Sequence, residues 1–165
     1  MFSTSNAKDQ LYYKVGFFDY KHETGGLLFN IKKVSDNTYN VLNFGELTQI
    51  YEFSSIIDKE NKFSKGSETK KREEYAIYLS SGLQKVITLS DKFSLVPSFS
   101  VGLYESFDQG KEMGFPIEFK SEVELYYNLT RDSYLGLTWH HISNADIGYK
   151  NPGSDSILLN ITSNF

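Results

Sequence analysis

Apolar and polar side chains alternate with a period of two along most of the chain, and no helical spacing is sustained. In the segment 117–128, one face reads Ile, Phe, Ser, Val, Leu, Tyr and the other reads Glu, Lys, Glu, Glu, Tyr, Asn. Clusters of Gly, Asn, Asp and Ser separate such segments, as they do between antiparallel strands. The pattern predicts eight strands, at 11–20, 26–34, 42–57, 74–89, 92–105, 115–129, 132–145 and 154–165.

The connections between these strands alternate in length. The segment 58–74 carries six Lys or Arg and five Asp or Glu among its 17 residues, and 105–114 is also long. The connections at 90–92 and 130–132 are tight turns. Long connections on one side and short ones on the other are typical of outer-membrane barrels, and an even number of antiparallel strands closes without a free edge.

We therefore predict an all-β fold, an eight-stranded antiparallel up-and-down transmembrane β-barrel that occupies 1–165 as a single domain. Residues 1–10 form an N-terminal segment, and 58–74 form a long, charged extracellular loop. We expect a bacterial outer-membrane location, with the export signal already removed from this chain, because 1–10 are polar. The alternative folds are a soluble β-sandwich and a soluble lipocalin-like barrel, because alternation alone does not say which face points inward.

Composition excludes several classes of function. The net charge of −4 provides no basic field for nucleic acid, so we expect no nucleic-acid partner. The absence of cysteine excludes disulfides, thiolate metal sites and thiol nucleophiles. No run of about 18–20 apolar residues is present, which excludes a membrane-spanning helix.

The last predicted strand ends on an aromatic residue. Its alternating face contains Ile157, Leu159, Ile161, Ser163 and Phe165. A terminal aromatic residue on an alternating strand resembles the signal that the barrel assembly machinery recognises, so we expect that machinery as a partner. An ordinary edge strand of a soluble sandwich is the alternative interpretation of this segment.

Histidine, serine and aspartate provide the candidate chemistry. His140 and His141 are adjacent in the seventh strand, so their side chains point to opposite faces and cannot bind one metal ion together; we expect no metal and no cofactor. If the seventh and eighth strands pair across the intervening loop, opposed residue numbers sum to about 296, which places His141 opposite Asp155. Ser143 shares the face of His141. A serine hydroxyl, an imidazole that takes its proton and a carboxylate that orients the imidazole form a hydrolase constellation.

A structural interpretation of the same residues stays open. His141 could be an interfacial side chain, and Ser143 and Asp155 could be turn residues that flank 151–153. On the other face, the charges of strand six are expected to pair with Lys or Arg of neighbouring strands inside the barrel rather than to act in catalysis. These residues are Glu118, Lys120, Glu122 and Glu124.

The segments 141–145 (HISNA) and 151–155 (NPGSD), followed by Phe165, resemble the signature of the outer-membrane lipid A 3-O-deacylases, the PagL-type acyloxyacyl hydrolases. Upstream, 96–104 and 117–125 resemble strands five and six of that family, so the resemblance covers about residues 75–165. It implies a metal-free serine esterase that removes the 3-O-linked hydroxyacyl chain of lipid A in lipopolysaccharide.

The resemblance also implies roles for individual residues. Ser143 is the expected nucleophile, His141 the general base and Asp155 the acid, where better-known members of the family have Glu. Asn144, which follows the nucleophile, is the expected oxyanion-hole residue. A homodimer is a further possibility. The alternative functions are a non-enzymatic adhesion or structural barrel and an outer-membrane phospholipase.

Overall fold

The computed structural model describes residues 10–20, 26–65, 68–108, 111–129 and 133–163. These residues form eight long antiparallel strands and one two-residue strand, Ile87–Thr88, that pairs with the start of the fifth long strand. They contain no helix long and apolar enough to span a membrane. The long strands are β1 (Gln10–Phe18), β2 (Gly26–Val41), β3 (Gly45–Lys65), β4 (Glu68–Gln84), β5 (Phe93–Asp108), β6 (Ile117–Asn128), β7 (Ser133–Ser143) and β8 (Ser154–Ser163).

The eight strands close into a barrel. Each strand pairs with its neighbours in sequence, β1 pairs with β8, and every pairing is antiparallel. Closure satisfies the backbone donors and acceptors of every strand without leaving an edge, which a hydrocarbon environment requires. The predicted eight-stranded antiparallel β-barrel is confirmed.

Three strands, β2, β3 and β4, run well beyond the bounds that the sequence predicts. Residues 58–65 and 68–74, expected within a loop, continue β3 and β4, and the register includes the pairs Asp58↔Glu74 and Lys65↔Glu68. Charged residues occupy consecutive positions there, so the period of two disappears from the sequence although the hydrogen-bond ladder continues. β2 likewise reaches Val41, and a short turn with a positive φ of 70° at Asn43 joins it to β3.

The two faces of the barrel wall have opposite character. Large apolar side chains on alternate positions are exposed outward, such as Leu137 and Leu159, while polar side chains between them are buried inside, such as Thr138 and Asn160. This arrangement matches a barrel whose outer face contacts lipid. The terminal Phe165 lies outside the described residues, so its expected role in barrel assembly stays a prediction.

An ion cluster fills the barrel interior. Glu122 is central, because its carboxylate oxygens lie 2.8 Å from Nζ of Lys14, 3.1 Å from Nζ of Lys120 and 3.4 Å from Nζ of Lys32. Glu124 and Glu52 complete the cluster by accepting hydrogen bonds from Lys32 and Lys120, respectively. All six side chains are at most 1% exposed. Three positive and three negative charges thus balance in the interior. The predicted pairing is found, but Lys14 and Lys32 reach Glu122 and Glu124 across the lumen from β1 and β2 and not from the strands that neighbour β6.

Glu118 departs from that expectation. It is fully buried at the outer end of β6, but no cation pairs with it among the residues whose side chains are described. The strands next to it provide Gly102 and, one step beyond the paired region, Asn144. The predicted structural network therefore includes three of the four charged residues of β6.

Removing Glu122 should strongly destabilise the barrel. We expect Glu122→Ala to lower the free energy of unfolding by about 3–5 kcal/mol, because three buried lysines lose a shared counter-ion. Glu46→Ala, which alters an exposed glutamate near the β2–β3 turn, should change it by about 0.5 kcal/mol or less. Urea unfolding in detergent micelles, followed by the fluorescence of Trp139, measures both. Equal stability of the two variants would contradict a structural role for the cluster.

Candidate active site

The pairing of β7 with β8 brings His141 and Asp155 together at the outer end of the barrel. The two residues are directly opposed, as the sum of 296 predicts, and His141 Nδ1 lies 3.3 Å from Asp155 Oδ1. The backbone carbonyl of Asp155 also accepts a hydrogen bond from Tyr20 N at 3.0 Å, which ties this point of β8 to the end of β1. The imidazole is 38% exposed and the carboxylate 11% exposed, so the pair opens to the outside through the histidine.

Ser143 is the last residue of β7 and lies two positions after His141, on the same outward face. Gly153 indicates how the imidazole is turned. A Cβ atom at Gly153 would lie 3.0 Å from His141 Cε1 and 3.5 Å from Nε2. Because the register continued by one residue places 153 opposite 143, the Nε2 edge of the ring faces the end of the strand where Ser143 lies. His141 Nδ1 therefore faces Asp155, and the Nε2 edge of the ring faces the end of the strand where Ser143 lies.

Asn144 lies on the other side of the strand. Its side chain is fully buried, and Nδ2 donates hydrogen bonds to the carbonyls of Met113 at 2.7 Å and Lys150 at 2.8 Å. Its backbone N–H donates to Asn151 Oδ1 at 3.1 Å. These donors are engaged within the outer loops, so the structure does not bring the Asn144 amide together with the three outward-facing residues. The conformation does not support the expected oxyanion role of this side chain.

The loop between β7 and β8 packs tightly against the loop between β5 and β6. A Cβ atom at Gly148 would lie 2.6 Å from the carbonyl oxygen of Gly114, and one at Gly114 would lie 2.2 Å from the carbonyl oxygen of Lys150. Ala145 and Asp146 adopt left-handed φ values of 53° and 62°, which is uncommon for residues other than glycine. The two loops together hold the chain in this strained turn directly after Ser143.

Asn151 supports the same turn from inside the loop. Its Oδ1 accepts the hydrogen bond from Asn144 N, and its Nδ2 donates to Asp146 Oδ1 at 3.0 Å. The sequence interpretation treated this residue only as part of a turn motif. Its amide in fact bridges both ends of the strained segment, a role that the spacing of residues 144–151 alone does not reveal.

Ser121 is a further polar residue at the site. The sequence pattern places it on the apolar face of the sixth strand. β6 pairs with β7 so that Ser121 lies directly opposite His141, and β5 places Phe99 on the other side of Ser121. A single outward-facing row therefore runs Phe99, Ser121, His141, Asp155 across four strands. The one available signal was the interruption of the series Ile117, Phe119, Val123 by a serine.

Apolar side chains surround this row on the outer surface. Phe99 and Phe119 stack with ring centroids 6.0 Å apart on one side. Trp139 and Ile157, which are paired across β7 and β8, form the surface below His141 and Asp155 and remain partly exposed. The polar row thus lies at the boundary between an apolar belt and the outer loops, which is the depth of lipid headgroups and acyl esters.

Charged residues of the loops lie above this boundary. Lys111 Nζ contacts Asp19 Oδ2 at 2.5 Å, and Lys150 Nζ contacts Glu112 Oε2 at 2.6 Å. The hydrogen bond that Lys150 donates to Glu112 raises the pKa of Lys150. In the part of the chain that the structure describes, no three His, Asp or Glu side chains are grouped to hold a metal ion. The chemistry available at the site is that of a serine, an imidazole and a carboxylate.

Comparisons with known proteins identify one family and several solved barrels to which this chain is similar. Residues 91–164 match the family described as "Lipid A 3-O-deacylase (PagL)". The crystal structure of the outer membrane enzyme PagL superposes with a TM-score of 0.59 at 13% identity, over 94% of this chain and 99% of that chain. No curated protein sequence matches the chain significantly.

Two other barrels share the fold. Neisserial surface protein A superposes with a TM-score of 0.62 at 10% identity, over 95% of this chain and 96% of that chain. The Yersinia pestis outer membrane protein Ail superposes with a TM-score of 0.51 at 14% identity, over 94% and 99%. Identities this low show the fold alone, and the fold is that of outer-membrane barrels. The family match over 91–164 confirms the resemblance predicted from the sequence, and the outer-membrane barrel fold agrees with the predicted location.

Gly153→Ala should disable the histidine without affecting the rest of the barrel. A methyl group would press on Cε1 of His141 and strain a backbone with φ of 60°, so we expect the labelling of Ser143 by a fluorophosphonate to slow at least tenfold. Gly45→Ala is the matched control, because Gly45 has φ of 74° and only Lys85 Nζ near its Cβ position. Mass spectrometry of the labelled peptide measures the rate; equal rates in both variants would contradict this placement of the ring.

Proposed function

Because residues 91–164 match the lipid A 3-O-deacylase (PagL) family, we propose that this barrel is a serine esterase that removes the 3-O-linked hydroxyacyl chain of lipid A. The observation that carries the proposal is the opposition of His141 and Asp155 on the outward face, with Ser143 two residues along the same strand. A general base oriented by an acid is the arrangement that activates a serine hydroxyl.

In the proposed reaction, His141 Nε2 takes the proton of Ser143 Oγ while Oγ attacks the ester carbonyl of the acyl chain. The tetrahedral intermediate collapses as the protonated imidazole returns the proton to the sugar oxygen, which leaves as an alcohol. A water molecule, deprotonated by His141, then attacks the acyl-enzyme, and the imidazolium returns the proton to Ser143 Oγ as its bond to the acyl carbon breaks and the fatty acid leaves. Asp155 accepts a hydrogen bond from Nδ1–H throughout and stabilises the imidazolium that forms in each half-reaction.

The location of the site suits a substrate that is itself a membrane component. Lipid A lies in the outer leaflet with its acyl esters at the boundary between headgroups and hydrocarbon, and the polar row lies between an apolar belt and the outer loops. The substrate can therefore reach the site by lateral diffusion along the barrel wall. The interior does not need to conduct anything, which is consistent with the ion cluster that fills it.

In the proposed enzyme, Asn144 holds the outer loops in place beside the end of β7. It links Met113 and Lys150 through its side chain and Asn151 through its backbone, and so connects the strand that carries Ser143 to both neighbouring loops. Direct stabilisation of the oxyanion by its amide would require one of the two carbonyls to release Nδ2. Lipopolysaccharide and the outer membrane are the partners that the function requires; the barrel assembly machinery and a homodimer stay predictions.

Ser143→Ala should abolish lipid A deacylation. We expect a loss of about 10³-fold or more with the barrel still folded, since the nucleophile disappears but no buried contact does. Ser55→Ala, which alters another outward-facing serine between Phe29 and Ile77, is the matched control and should retain activity. Mass spectrometry of lipid A from cells with equal amounts of folded barrel detects loss of one hydroxyacyl mass.

Other outcomes of that measurement separate the alternative functions. Unchanged lipid A with Ser143-dependent release of fatty acids from glycerophospholipids would indicate an outer-membrane phospholipase. Unchanged lipid A and unchanged phospholipids in the wild type would indicate a structural or adhesion barrel. Deacylation that survives Ser143→Ala would assign the nucleophile elsewhere.

The length of the acid side chain gives a separate prediction. At 3.3 Å, the contact between His141 and Asp155 is longer than a strong charge-assisted hydrogen bond. Asp155→Asn should lower kcat by about 10²-fold or more, because the amide cannot hold the required tautomer. Asp155→Glu should keep activity within about tenfold, because the longer side chain still reaches Nδ1. Deacylation kinetics in detergent micelles test both variants, and an unchanged rate for Asp155→Asn would remove Asp155 from the mechanism.

A further inference from the structure

Ser121 occupies a position that the proposed reaction does not use. It lies on the outward face of β6, in direct register with His141, so the imidazole has Asp155 on one side and Ser121 on the other. Cβ atoms of directly opposed residues are separated by about 4.5–5.5 Å. The serine hydroxyl is therefore a close neighbour of the imidazole, on the strand opposite the acid.

The hydroxyl of Ser121 has no hydrogen-bond partner among the side chains that the structure describes, although it is exposed on a wall that contacts lipid. Its neighbours on that wall are apolar: Phe99 across β5, and Phe119 and Val123 along its own strand. Ser81, on the same outer surface, differs because its hydroxyl accepts a hydrogen bond from Gln49 Nε2 at 3.2 Å. Ser121 therefore presents a hydroxyl on the outer wall that can both donate and accept a hydrogen bond to a ligand.

The orientation of His141 argues against Ser121 as the nucleophile. The Nε2 edge of the ring lies close to Gly153, toward the outer end of the strand and the level of Ser143. Ser121 lies two pairs deeper in the membrane, because β6 pairs Phe119 with Ser143 and Ser121 with His141. A group bound to Ser121 is thus placed between the attacked carbonyl and the hydrocarbon core.

An acyl chain held for attack by Ser143 must run in that same direction, from the ester toward the membrane centre. Residues in the diagonal relationship of Ser143 and Ser121 have Cβ atoms somewhat less than about 7–8 Å apart. When the carbonyl carbon is bonded to one serine oxygen, a hydroxyl on the β-carbon of the acyl chain is within reach of a hydrogen bond to the other. A plain acyl chain offers only CH₂ at this position.

We propose that Ser121 is a specificity-determining residue that binds the β-hydroxyl of the acyl chain to be cleaved. The inference rests on the proposed deacylase function and extends it to the selection of hydroxyacyl over plain acyl esters. The hydrogen bond orients the chain along β6 and places its carbonyl at Ser143. Phe99 and Phe119 form the apolar wall beside the first carbons of the chain.

A matched pair of substrates tests the inference. Two synthetic glucosamine phosphate esters, identical except for the β-hydroxyl of the cleavable chain, are offered in detergent micelles to the wild type, Ser121→Ala, Ser121→Thr and Ser55→Ala. We expect the wild type to favour the hydroxyacyl ester by about fivefold to tenfold in kcat/KM, the effect of one hydrogen bond. Ser121→Ala should remove this preference by lowering kcat/KM on the hydroxyacyl ester to the level of the plain ester. Ser121→Thr, which keeps a hydroxyl, and Ser55→Ala should retain the preference.

The other outcomes each overturn a definite statement. If Ser121→Ala lowers kcat/KM equally on both esters, or if the preference for the hydroxyacyl ester survives this substitution, the specificity role is overturned. Loss of all hydrolysis in a folded Ser121→Ala variant, with Ser143→Ala still active, would make Ser121 the nucleophile. A wild type that hydrolyses neither ester overturns the proposed function itself, whereas one that hydrolyses both equally overturns only the assignment of Ser121.

Discussion

The closed hydrogen-bond ladder is the constraint on which the rest of the structure depends. In a hydrocarbon environment every strand must pair on both sides, and closure through the pairs β4 with β5 and β1 with β8 leaves no edge. Closure also fixes the register, because a slip by one residue would turn every lipid-facing side chain inward. The opposition of His141 to Asp155, and of Ser121 to His141, follows from that single register.

The wall of the barrel separates two groups of polar side chains, the ion cluster in the interior and the row on the outer face. His140 points inward, is fully buried and has Nδ1 3.6 Å from Glu122 Oε2, while its neighbour His141 points outward to Asp155. The interior cluster is balanced in charge and serves stability. The outward row is exposed to the surroundings of the barrel, and the Ser121 hydroxyl in it has no hydrogen-bond partner among the described side chains. β7 therefore packs His140 inside the barrel and exposes His141 toward the membrane.

Contacts between the outer loops fix the conformation of the turn that follows β7. The strained turn at Ala145 and Asp146 persists because Asn151 bonds both sides of it and because Gly114 and Gly148 allow two loop backbones to meet. Gly153 adds a steric limit on the imidazole itself. The geometry of the site is thus built from backbone approaches that only glycine permits, on a scaffold of regular strands.

The sequence by itself determined the all-β barrel, the eight strands and the pairing of His141 with Asp155, because period-two alternation and hairpin arithmetic are local properties of the chain. It did not determine the full length of β3 and β4, where charges on consecutive positions hide the alternation. It also did not show that Asn144 turns inward to the loops or that Ser121 lies directly beside His141. Only the tertiary structure decided these points, because loop contacts and the register between β6 and β7 join residues that are distant in the chain.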